Sequence, residues 1–162
     1  MKKLFFILLF AAASNAFAQS TLKEDVDIIQ SIYGKSKKDL VGQYMKIDPA
    51  KADAFWKIYD EYEVKRKELV MAKVQLINDY AMNYNNMTEA KANELAEKVL
   101  KNNIEYEKLF QKYYGKMKGV IGSISAVKFI QLEIYLQTAI RSSIQDAVPF
   151  IGELDKTVPH QH

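Results

Sequence analysis

The sequence of 162 residues contains no cysteine, two histidines, three prolines and six glycines, and neither charge sign is in large excess. Without cysteine the chain forms no disulfide, binds no metal through thiolate and has no thiol nucleophile. Both histidines, His160 and His162, lie in the last three residues, so a histidine general base inside the folded part is excluded. A preoriented metal site needs three or four ligands, and the sequence reads as binding none and as needing no cofactor. No glycine-rich phosphate loop and no strand-turn-helix context for a nucleophilic serine is present, so the chain is read as not an enzyme.

One apolar run exists, from Leu4 to Ala13, behind Lys2 and Lys3 and ahead of Ala16-Phe17-Ala18. That is the pattern of an export signal cleaved after Ala18, and the run is about half the roughly 20 residues a bilayer span needs. The expected division is a leader over 1–18, one helical domain over 19–154 and a disordered tail over 155–162. Losing Lys2 and Lys3 leaves 21 cationic against 20 anionic side chains, a net charge of +1. Such a balance argues against a nucleic-acid partner, which requires a clear cationic excess on one face. Stable membrane insertion is not expected either, and the basic residues alternate with acids too closely for a cationic membrane-binding face.

What the sequence does have is Lys, Glu, Ala, Leu, Asn and Tyr, with apolar residues at three- and four-residue steps and no sustained alternation. An all-α fold follows. A short amphipathic segment is predicted over Thr21–Tyr33, ending at Gly34, and a second begins after a Ser36 cap. Asp48-Pro49 marks the start of a long helix, because Asp48 supplies the cap oxygen and Pro49 sits where no amide donor is needed. Nothing breaks this helix before about Asn86, a rod of about 55 Å. Thr88 caps an equally long helix, with a bend or fraying expected near Gly119, and Ser123 or Ser125 starts the last, which runs to Val148 before Pro149. The predicted architecture is a long antiparallel helical hairpin with shorter flanking helices.

Two features point toward function. Glu133 falls on the apolar face of the last helix, where an unpaired carboxylate would be costly, so a partner such as Arg66 or Lys73 is expected, with Glu133–Arg66 the candidate structural ion pair. Seven of the ten tyrosines, Tyr59, Tyr62, Tyr80, Tyr84, Tyr106, Tyr113 and Tyr114, fall on the two long helices; a large apolar ring with a polar tip suits a surface that contacts varied partners. Tyr59, Tyr62, Arg66, Leu69 and Lys73 are the candidate contacts of such a surface.

The segment Ile47-Asp-Pro-Ala-Lys-Ala-Asp-Ala-Phe-Trp-Lys-Ile-Tyr-Asp-Glu-Tyr-Glu63, the run Lys128-Phe-Ile-Gln-Leu-Glu133 and the following Val148-Pro149 resemble Spy/CpxP-type periplasmic proteins. Ile47-Asp48-Pro49-Ala50-Lys51 and Met87-Thr88-Glu89-Ala90-Lys91 keep the cap geometry of that family's Leu-Thr-x-x-Gln pattern, with Lys in place of Gln. The resemblance implies a periplasmic, homodimeric helical cradle whose concave face holds unfolded or misfolded envelope proteins without ATP. It equally admits an envelope-stress regulator that binds one sensor protein.

Overall fold

The computed structural model describes residues 36–147, which form four α-helices and no strand. The expected leader, the Thr21–Tyr33 segment and the tail with His160 and His162 lie outside the described residues. Helix α1 spans Lys37–Met45, α2 Pro49–Asn83, α3 Glu89–Ile121 and α4 Ser123–Ala147, with a 3-10 turn, Tyr84–Asn86, between α2 and α3. The fold is all-α.

Local chemistry sets most of the boundaries. The Ser36 hydroxyl oxygen accepts from the Asp39 amide at 3.2 Å, Asp48 Oδ1 from the Ala50 amide at 2.9 Å, and Thr88 Oγ1 from the Lys91 amide at 3.2 Å. Each side chain satisfies one of the amides that a helix start leaves without an intrahelical acceptor. Helix α1 ends on Lys46 in the left-handed region at φ 48°. The glycine break falls elsewhere than expected: α3 continues through Gly115 and Gly119 and stops at Gly122 (φ 80°, ψ 165°). That backbone conformation is essentially reserved to glycine, so the sharp turn falls where the conformational need is greatest. The Gly122 amide donates to Lys118 O and the Gly122 carbonyl accepts from the Ala126 amide, so a single residue closes α3 and opens α4.

The long helices lie side by side. Lys116 pairs with Glu61, Asn102 Nδ2 donates to Leu69 O at 3.1 Å, and Lys91 pairs with Asp79 at 3.2 Å. Partners on α2 advance as positions on α3 recede, so the two helices run antiparallel. Their buried residues, Phe55, Tyr59, Tyr62, Arg66 and Val70 on α2 and Leu95, Asn102, Tyr106, Leu109, Phe110, Tyr113, Met117 and Ile121 on α3, recur at the three- and four-residue steps of interlocking helix seams. Helix α4 contributes Ala126, Phe129, Leu132, Leu136 and Ile140. Phe129 is the hub, presenting its ring to Phe55, Tyr59 and Tyr62 at centroid distances of 6.0, 6.3 and 5.5 Å, each close to perpendicular. Edge-to-face pairs of this kind are each worth about 0.5–1.5 kcal/mol beyond the area they bury.

Candidate functional site

Helix α1 is short and is held by two core side chains and by charged contacts. Val41 and Met45 enter the core, Lys38 pairs with Asp60 of α2 at 2.8 Å, and Lys128 of α4 donates to the Tyr44 carbonyl. Trp56 lies against Gly42, where a Cβ would sit 3.6 Å from the indole. This docking brings Lys37 to the middle of the molecule. Its Nζ lies 2.6 Å from Glu63 Oε1 on α2 and 2.6 Å from Glu133 Oε2 on α4. One ammonium thus joins three helices.

The network continues on both sides. The Tyr62 hydroxyl donates to Glu133 Oε2 at 2.7 Å, and Arg66 grips Glu63 through Nε at 2.8 Å and Nη2 at 3.1 Å. Glu133 is 2% exposed, and such a carboxylate is tolerated only because a cation and a hydroxyl meet it. Burial pushes the Glu63 carboxyl up, but Lys37 and Arg66 more than reverse this and hold it down at about 2. Burial, then the neighbouring Glu133 carboxylate, drives the Tyr62 hydroxyl well above the ordinary phenol range. Burial does the same to Tyr59, with Glu63 and Glu133 adding to it.

Next to this network, between α2, α3 and α4, a cleft has Lys73, Asn102, Glu133, Gln137 and Arg141 among its lining residues, with apolar walls from Val70, Val74, Leu136 and Ile140. Lys73 is half-buried, and its ammonium is held below the usual lysine range by burial and then by Arg141. The Arg141 guanidinium lies 5.5 Å from the centre of the Tyr106 ring. Three buried polar atoms here have no hydrogen-bond partner: Glu133 Oε1, Asn102 Oδ1 and Gln137 Nε2.

The structure redistributes the candidate surface contacts. Tyr59 and Tyr62 are 2% and 1% exposed and Arg66 is 7% exposed, so these three are interior residues and not an open contact surface. Their stripe faces Phe129 and Tyr113, which absorb the rings. Leu69 and Lys73 are half-buried. Glu133 is paired as its position requires, but the cation on it is Lys37, while the Arg66 fork lies on Glu63. Sequence reasoning missed Lys37, 96 residues from Glu133, because the sequence around Lys37 marks only an ordinary solvated lysine. It also missed Asn102 and Gln137; the one available signal was an amide falling at a seam position.

Among the described residues no group of three or more His, Asp or Glu side chains is placed to hold a metal ion, and no helix is long and apolar enough to cross a membrane. No protein-family model matches the sequence, and no curated protein or solved structure matches it.

Proposed function

We propose that this chain is an exported, ATP-independent chaperone that holds unfolded or misfolded envelope proteins on a helical surface. The observation carrying this reading is the outer face of α4. Ile124, Val127, Ile134 and Tyr135 are exposed there, Ile124 by 89% and Tyr135 by 61%, and Gln131 and Thr138 complete the face without adding a charge. The positions 124, 127, 131, 134 and 138 lie three and four apart and so share one side of the helix. An uncharged apolar stripe with polar amide and hydroxyl interruptions suits segments that have in common only their exposed apolar side chains. Leu100 and Ile104, exposed one turn apart on α3, extend the supply of apolar contact. In this reading the client contacts are these residues rather than the buried Tyr59, Tyr62 and Arg66. The resemblance to Spy/CpxP-type proteins supports the same reading and adds the periplasm and a homodimer to it.

The test is light scattering by two unrelated aggregating proteins, without ATP, at near-stoichiometric ratios of the purified protein. Protection of both is expected, and a double variant Ile124→Lys/Ile134→Lys should lose it while keeping its helical circular dichroism. Protection of neither by the folded protein would replace this reading with the other one the resemblance admits, a regulator that binds a single envelope signalling partner.

A further inference from the structure

The cleft beside the Lys37 network presents a charge imbalance and a hydrogen-bond imbalance together. Glu63 is occupied by Lys37 and Arg66, and Glu133 by Lys37 and Tyr62. Lys73 and Arg141, which also line the cleft, have no carboxylate within salt-bridge distance among the described residues. Water would fill the space, but it would leave two like charges facing each other across a partly dry cleft; an anion neutralises them. Gln137 Nε2 is a third donor without an acceptor.

The two remaining atoms decide which anion. Glu133 Oε1 and Asn102 Oδ1 are buried acceptors without a donor. The Asn102 amide cannot be turned to remove this demand, because its Nδ2 must face the Leu69 carbonyl, which only accepts. A sulfate or a carboxylate brings oxygens with no proton and would be repelled by Glu133. A hydrogenphosphate carries negative oxygens for Lys73, Arg141 and Gln137 and also a P–OH that can donate to Glu133 Oε1 or Asn102 Oδ1. The cavity is about 40 Å³, room for about three waters or one small tetrahedral oxyanion.

We propose that the cleft between α2, α3 and α4 is a binding site for a hydrogenphosphate group, held by Lys73, Arg141 and Gln137 and selected by the proton it gives to Glu133 or Asn102. The group is either free inorganic phosphate or the head of a small phosphomonoester bound as its monoanion, the form that keeps a P–OH. This site is independent of the α4 outer face and of the chaperone reading.

Calorimetric titration of the folded full chain in phosphate-free buffer tests it. Inorganic phosphate should bind saturably at one site, with sulfate weaker by about tenfold or more because it leaves the buried acceptors unmet. Lys73→Met and Arg141→Met should each weaken phosphate binding by about tenfold or more through loss of a charge-assisted contact. Gln137→Glu removes the Nε2 donor and sets a second negative charge beside Glu133 against the anion, so it should abolish phosphate binding, and an unchanged helical circular dichroism spectrum separates loss of the site from loss of the fold. Competition by glycerol 3-phosphate supports the site and assigns it to phosphomonoesters; exclusion of glycerol 3-phosphate with phosphate still bound supports it and assigns it to the free ion. Absence of saturable phosphate binding by the folded protein, equal affinity for sulfate, or unchanged phosphate binding in Gln137→Glu would overturn the proposal.

Discussion

At the scale of single residues, Lys37 carries more of the structure than its place in a nine-residue helix suggests. It is the shared cation of two carboxylates on two other helices, and removing it leaves Glu133 buried with only a hydroxyl. Lys37→Met is therefore expected to cost about 3–5 kcal/mol of unfolding free energy in urea titrations, the range for breaking a buried pair. Glu133→Gln should cost less, because Lys37 keeps Glu63. The same residues set the response to pH. Glu63 titrates lower in the folded chain than in the unfolded one, so its contribution is complete above its ordinary value of 4.5 and is lost as pH falls toward about 2. Tyr59 and Tyr62 titrate higher when folded, so theirs is complete below pH 10 and is lost as pH rises beyond it. Lys73, lowered in the fold, acts in the opposite direction on the alkaline side, and being half-buried it offsets only part of that loss. Chemical denaturation across pH should show a plateau with a fall below about 4.5, and Glu63→Gln should flatten the acid limb. None of this was legible from spacing: that Glu133 needed a partner followed from its apolar face, whereas the partner's identity depends on where α1 docks.

At the scale of elements, the helix starts were legible because capping is local chemistry, written in Ser36, Asp48-Pro49 and Thr88. The end of α3 was not, because three glycines within eight residues look alike until the backbone is seen. Gly115 and Gly119 are helical, and a methyl group at either would meet nothing within 4 Å, whereas Gly122 has φ 80°. Substitution by alanine should separate them by sign. Gly115→Ala and Gly119→Ala should each stabilise the protein by about 0.5–1 kcal/mol through helix propensity, and Gly122→Ala should destabilise it by about 1–3 kcal/mol through strain. Thermal unfolding of the three single variants checks this. The burial of Tyr59, Tyr62 and Arg66, read from the sequence as surface contacts, was not legible: the seam of α2 passes from Phe55 through these three to Val70, leaving Leu69 at its margin. Interlocked helices follow a repeat close to 3.5 residues where a lone helix follows 3.6, and only the partner's position shows which wins.

Across the whole molecule, the all-α class was legible from composition and periodicity, while the uneven thickness of the molecule was not. Between Val70 and Leu95 no residue is buried, so the end of the α2–α3 pair around the Tyr84–Asn86 turn stands without a core, whereas the core at the other end draws on α3 from Tyr106 to Ile121 and on α4 from Ala126 to Leu136. Hydrogen exchange should follow this division. Amides within 75–94 are expected to exchange through local opening well before those within 106–117 and 126–136, which should open only with global unfolding; equal protection of both regions would contradict it. The corner at Gly122 has a further electrical consequence. The carbonyl end of α3, carrying roughly half a negative charge, abuts the amide end of α4, carrying roughly half a positive one. The two macrodipoles meet head to tail and largely cancel at a first turn of α4 that carries no acidic residue. Dissolved ions therefore have little to screen there, and the cost of Gly122→Ala should be the same in dilute and in concentrated salt.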